Sequence, residues 1–261
     1  MRWCLFLSTE RPTSDREGRL HRHRCDRSKP MTCSVRIAAA VAVIVVVESG
    51  ALVARQAVAE GEGVRERAEQ GDADAQAALG FRYAAGNAGP QDQAEALRWY
   101  GLAAEQGHVY AQYNLGVMYN SGRGVSEDGT EAIRWFQLAA EQGYDRAQYN
   151  LGIMYDTGRG VPQDHAEAVR WLRLAAEQGH ANGMSYLGAM YGSGNGVSQD
   201  YVQAHMWRSL AVSRDTSENQ DIAVEARDAL ANRMTPRQLA EAQYLAREWE
   251  AAHPVNHEPP P

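Results

Sequence analysis

Lysine is nearly absent from this chain: of 261 residues one, Lys29, is a lysine. Its position removes a Ser-x-x-Lys nucleophile from everything downstream. Cysteine is also scarce. Cys4, Cys25 and Cys33 all fall before residue 34, so no disulfide can staple the later sequence, and cysteine usage leaves the redox compartment open. Long apolar runs are missing too. The longest, Ile37 to Val47, has 11 residues, short of the ~20 that a permanent bilayer helix requires. Positive charge is sparse after the first segment. Residues 1–30 carry eight Lys and Arg against four acids, but from Glu60 onward 16 Arg face 28 acids. A surface this acidic repels nucleic acid and anionic lipid, so both are set aside as partners.

The run that is present has the layout of an export signal. Arg36 precedes Ile37–Val47, and small residues follow, with Ala57-Val58-Ala59 as a small-x-small cleavage site and Ser49-Gly50-Ala51 as a second one. Residues 31–59 are therefore expected to be a signal peptide. The mature chain would begin at Glu60, or after Ala51, and be exported to the periplasm or beyond. The alternative is an uncleaved membrane anchor. Residues 1–30, polar and Arg-rich, sit ahead of an otherwise complete signal and read as a non-native or disordered extension, which makes Met31 a second candidate start beside Met1. Cys33 lies on the wrong side of the run for a lipidated cysteine.

What dominates the remainder is a period. Trp99, Trp135, Trp171 and Trp207 are 36 residues apart, as are Gly71, Gly107, Gly143 and Gly179, and the units that begin at Gly107 and Gly143 agree at 23 of 36 positions. A fixed period of this length means stacked structural units.

Each unit reads as two helices. In the first, Ala111, Leu115 and Tyr119 share a face, and Gly122 supplies a C-terminal stop. The loop Gly122-Arg123-Gly124-Val125 recurs at Gly158 and Gly194, and repetition at one phase points to backbone geometry rather than to a phosphate-binding loop, for which no preceding strand is expected. The second helix starts at Asp92, Asp128, Asp164 and Asp200, each with Glu or Gln three residues on, the spacing of a capping box. It is expected to bury Trp135, Phe136 and Ala139-Ala140 in one copy and Trp171, Leu172 and Ala175-Ala176 in the next. Gly116 and Gly152, inside first helices, imply close contact with the alanine-rich second helix.

The tag Ala-Glu-Gln-Gly at Ala68 places a half unit before the first full one. After Arg214 the period breaks and two further helices are expected over 215–252. The last is opened by Thr235-Pro236-Arg237-Gln238, and Leu239, Ala242, Ala246 and Trp249 form its covering face. The tail 253–261 reads as disordered. The fold class is thus all-α: a solenoid of antiparallel helix pairs over 60–214, with four full repeats, a half repeat and a helical cap.

No residue set suggests catalysis, a cofactor or a metal. His108 and His180 share a position two units apart, too far to hold one ion. His165 and His205 share no position, and all four read as isolated surface histidines. The carboxylate pairs at helix starts recur too regularly to be acid-base sites.

The run Ala111-Gln112-Tyr113-Asn114-Leu115-Gly116-Val117-Met118-Tyr119, then Gly-x-Gly-Val-x-x-Asp, Glu-Ala-x-Arg-Trp and Ala-Ala-Glu-Gln-Gly, resembles the Sel-one-like repeat family, a relative of tetratricopeptide repeats, over about residues 64–214. The first unit departs from the pattern at Gly86-Asn87-Ala88-Gly89-Pro90. The resemblance implies a superhelix with a concave face and an adaptor or regulatory role through contacts with a protein or peptide partner. In the tetratricopeptide relatives five first-helix positions line the groove. Carried over, they are Tyr110, Tyr113, Val117, Asn120 and Ser121, then Arg146, Tyr149, Ile153, Asp156 and Thr157. Some cysteine-rich members are linked with β-lactam hydrolysis, but the paired cysteines of that subgroup are missing here. A structural envelope component that binds glycan through Tyr and Trp is the remaining alternative, and the phase of the Trp residues among alanines favours core positions for them.

Overall fold

The computed structural model describes residues 62–86, 92–215 and 220–254. Residues 1–30 and 31–59, expected to be an extension and an export signal, residues 87–91 of the first unit's irregular loop and the tail from 255 lie outside these residues. Every regular element described is helical. The order is α1 (62–69), α2 (Ala73–Ala84), α3 (Gln93–Glu105), α4 (Val109–Ser121), α5 (Gly129–Glu141), α6 (Asp145–Thr157), α7 (His165–Glu177), α8 (Ala181–Ser193), α9 (Tyr201–Arg214), α10 (Gln220–Ala231) and α11 (Pro236–Ala252). Helices α2/α3, α4/α5, α6/α7 and α8/α9 are the four repeats. Each packs along its own partner and then along the first helix of the next pair.

Local chemistry sets the boundaries. First helices α4, α6 and α8 stop at Gly122, Gly158 and Gly194, whose φ values of 67°, 72° and 80° lie in the left-handed region that favours glycine. The second glycine of each loop answers a contact. A Cβ on Gly124 would stand 2.5 Å from the Gln93 carbonyl oxygen, and Gly160 and Gly196 press equally on Gly129 and His165 of the repeat before. These loops are stacking surfaces between repeats, in line with a structural role for the glycines.

Second helices begin at Asp92, Asp128, Asp164 and Asp200, whose carboxylates accept two backbone N–H bonds each, such as Thr130 N (2.9 Å) and Glu131 N (3.1 Å) at Asp128. The expected capping boxes do not form here. The backbone N–H of Asp128 already donates to the Tyr119 carbonyl of the preceding helix, as Asp164 does to Tyr155 and Asp200 to Tyr191. With that donor satisfied, Glu131 and Glu167 turn to Arg134 and Arg170, three residues on. The box does form at Thr235, with Gln238 reaching back.

Trp99, Trp135, Trp171 and Trp207 are core residues, 3 to 8% exposed. Each reaches back into the previous repeat. Trp135 joins Tyr100, Ala103 and Leu115, while Trp171 joins Phe136, Ala140 and Leu151. Arg98, Arg134 and Arg170 lie over the neighbouring indole at 4.3, 4.7 and 4.2 Å, closing the outer side of the core. The fourth repeat has Met206 in place of that arginine, and Trp249 of α11 stands edge-on to Trp207 at 6.0 Å.

The first-helix glycines do approach the second helix, but the neighbour is a large side chain rather than an alanine. A Cβ on Gly80 would meet the Tyr100 ring, on Gly116 the Phe136 ring, and on Gly152 the Leu172 side chain, at about 2.5 to 2.6 Å. The residue after each tryptophan thus fills the space that the glycine vacates.

Candidate functional site

Along first helices α4 and α6 the residues assigned to a binding groove fall at matching positions, and the next repeat partly covers them. Tyr110 packs edge-on against Tyr100, ring centroids 6.3 Å apart. Tyr113 sits between Phe136 (5.9 Å) and Tyr144 (5.0 Å), the residue before α6. Val117 joins the same cluster, and Ile153 is half-buried. Tyr149 stacks on the His180 ring at 4.9 Å. Burial raises the hydroxyl pKa of Tyr113 and Tyr149, so both stay neutral at physiological pH.

The polar positions of this face are tied together across repeats. Asp156 accepts a bond from the Tyr186 hydroxyl (2.5 Å) through one oxygen and meets His165 Nδ1 (2.7 Å) through the other. Burial, then the hydrogen bond to Asp156, pushes the Tyr186 pKa up to about 12. The Asn120 carbonyl accepts from Arg159, which also pairs with Glu127, while the Asn120 side-chain oxygen is buried with no partner among the described residues. Ser121 and Thr157 donate to their own helix carbonyls at Val117 and Ile153. Arg146 alone of the ten is an exposed charged side chain.

Two histidine readings are corrected. His108 and His180 are not isolated surface residues: they cap α4 and α8, with Ala111 N (3.3 Å) and Gly183 N (3.0 Å) donating to their Nδ1 atoms. Tyr144 holds the same phase before α6, without a side-chain cap bond. His205 is 4% exposed, inside the fourth repeat. The structure also adds Tyr144, His180, His165, Tyr186 and Arg159 to this face. Among these only Arg159 has its own residue type 36 positions away, at Arg123, and His180 matches His108 two repeats back; Tyr144, His165 and Tyr186 stand where the sister repeats hold other residues, so the period gave no signal for them.

Residues 73–108, 109–144, 145–180 and 181–215 each match the Sel1 repeat, together more than half of the chain. The chain belongs to the Sel1 repeat family. Sel1 repeat proteins generally mediate protein–protein interaction. A solved Sel1 repeat protein from Oxalobacter formigenes is similar, at 31% identity and a TM-score of 0.56, over 70% of this chain and 72% of that one. A protective antigen of uropathogenic Escherichia coli with an SLR fold is also 31% identical, with a TM-score of 0.49, over 72% of this chain. This chain spans 47% of that antigen's length. No curated protein matches. Within the Sel1 solenoid, the Trp row that a glycan platform would need at the surface lies in the core.

Proposed function

We propose that this Sel1 repeat protein is an exported, non-catalytic adaptor that holds a protein or peptide partner, in a regulatory role, on the face formed by α4, α6 and α8. One observation carries the reading. On this face the side chains change between repeats, as in Tyr110/Arg146/Asn182 and Asn120/Asp156/Gly192, while the packing positions Leu115/Leu151/Leu187 stay fixed. A uniform scaffold with a varied, aromatic- and arginine-bearing surface suits recognition, because such residues give large contact area and directional bonds.

Truncating Tyr113 or Tyr149 would remove inter-repeat packing together with any binding, so Arg146 is the better probe. Affinity capture from the native envelope fraction is expected to lose its partners with Arg146→Glu and to keep them with Arg247→Glu on the exposed side of α11, with thermal melting unchanged for both. Recovery of the same partners by Arg146→Glu would rule this face out.

The export part rests on Ile37–Val47 and the small residues that follow it. In a Gram-negative host the mature protein is expected outside the cytoplasm with its N-terminus near Glu60. An intact-mass measurement of an unprocessed cytoplasmic chain would overturn it.

A further inference from the structure

The fourth repeat puts a buried imidazole where its sister repeats are aliphatic. Counting back by 36 from His205 gives Val169, Ile133 and Leu97, all apolar. A buried imidazole in place of an aliphatic side chain costs desolvation unless something partners it, and packing does not require it, since three sister repeats do without it. His205 lines a cavity of about 390 Å³ where α9, α10 and α11 meet, together with Ser209, Arg227, Asp228, Ala231, Leu239 and Gln243. That size suits a small molecule.

The polar groups of the cavity are only partly engaged with one another. His205 Nδ1 meets Ser209 Oγ at 3.3 Å, and its Nε2 has no hydrogen bond among the described residues. Arg227 spends Nε (2.8 Å) and Nη2 (2.7 Å) on a single oxygen of Asp228. Its Nη1 edge, the second Asp228 oxygen and the Gln243 amide make no hydrogen bond among the described residues. The cavity therefore offers one positive edge and one negative oxygen side by side, neutral in sum, with an amide and an imidazole nearby. A simple anion or a simple cation would meet the opposite charge together with the like one. A small molecule carrying an ammonium and a carboxylate close together satisfies both.

We propose that this cavity binds a small zwitterion of the amino-acid type, its carboxylate on the Nη1 edge of Arg227 and its ammonium on Asp228, with His205 and Gln243 orienting it. The site is separate from the α4–α6 face, so either can fail without the other. Burial, reinforced by the Arg227 charge, lowers the His205 pKa and keeps the ring neutral, able to donate at one nitrogen and accept at the other.

The test is thermal melting and titration calorimetry of the full chain with L-alanine, L-glutamate and dialanine as probes and glucose as a neutral comparator. At about a hundred times Kd a bound zwitterion should raise Tm by roughly 5 °C, and glucose should not. His205→Val, which restores the aliphatic residue of the sister repeats, should keep or raise the ligand-free Tm while weakening the zwitterion at least about tenfold. Arg227→Gln, at a partly exposed side chain, should weaken it similarly and serves as the second variant. No shift with any of the three zwitterions at about 10 mM, well above a millimolar Kd, would overturn the proposal. So would equal binding by both variants, or a glucose shift as large as the zwitterion's.

Discussion

Gln142 Nε2 lies 2.7 Å from Gln112 Oε1, and Gln112 in turn donates its own amide to the Ala104 carbonyl at 3.2 Å. The two glutamines belong to one repeat, and the arrangement recurs: Gln106 donates to Gln76, which donates to Ala68, and Gln178 donates to Gln148, which donates to Ala140. Gln76, Gln112 and Gln148 are each 4% exposed. Each of the first three repeats therefore donates a buried amide hydrogen bond to the unit before it. The ladder stops at the fourth repeat, where the positions hold Met184 and Arg214, and Arg214 turns to the His253 carbonyl and the Trp249 ring.

Gln112→Ala is expected to cost about 1–3 kcal/mol in urea unfolding, because it removes two hydrogen bonds at a buried position, although the Gln142 amide keeps the Gly107 carbonyl and the Ala104 carbonyl keeps the Gly107 N–H. A double-mutant cycle with Gln142→Ala should return a coupling of about 1 kcal/mol. A coupling indistinguishable from zero would mean that water replaces the amide without loss.

The period made the repeats, the glycine stops and the Asp caps legible in the sequence, since each needs a residue type at a fixed phase and nothing more. The glutamine ladder was not legible. A buried Gln and an exposed helical Gln look alike until the neighbour that donates to its side-chain oxygen is known, and that neighbour is 30 residues away. The capping boxes misled for the same reason: Glu131 stands three residues after Asp128, but the amide it would serve is taken by Tyr119 of another helix. On the candidate face the first-helix positions were readable, while their coverage by Tyr144 and His180 of the following repeats was not.

Gly116→Ala is expected to destabilise the protein by about 1–3 kcal/mol despite alanine's better helix propensity, which alone would favour it by about 1 kcal/mol. The added Cβ would stand 2.6 Å from the Phe136 ring. Combining it with Phe136→Ala should cost less than the sum of the two single changes, since the cavity made by one receives the methyl of the other. Strict additivity in chemical denaturation would show that the glycine is kept for another reason.

Trp135→Ala removes a core aromatic that bridges two repeats and should cost about 3–5 kcal/mol. Arg134→Ala removes the guanidinium stacked above it and should cost about 0.5–1 kcal/mol. A loss under about 1 kcal/mol for the tryptophan would contradict its burial and return the Trp row to the surface, where a glycan could reach it.

The last expectation concerns pH and follows from His180. Its Nδ1 accepts the Gly183 amide at the start of α8, and its ring stacks on Tyr149, so the neutral form does the structural work. Burial lowers its pKa, with Arg146 acting in the same sense and Asp145 opposing. Because the folded value lies below the unfolded one of about 6.5, the stability that His180 contributes is complete above that value and is lost as pH falls through the folded pKa. A protonated ring has no acceptor left for Gly183, which frees the first turn of α8. Melting temperature measured from pH 7.5 down to 5 is expected to fall, and His180→Asn, a good N-cap that does not titrate, should lessen the fall while leaving the value at pH 7.5 nearly unchanged. His205 is depressed in the same direction by burial, so part of the slope should remain in His180→Asn and disappear only when His205→Val is added. If His180→Asn melts along the same pH curve as the parent chain, the cap is not the group that loses its bond on acidification.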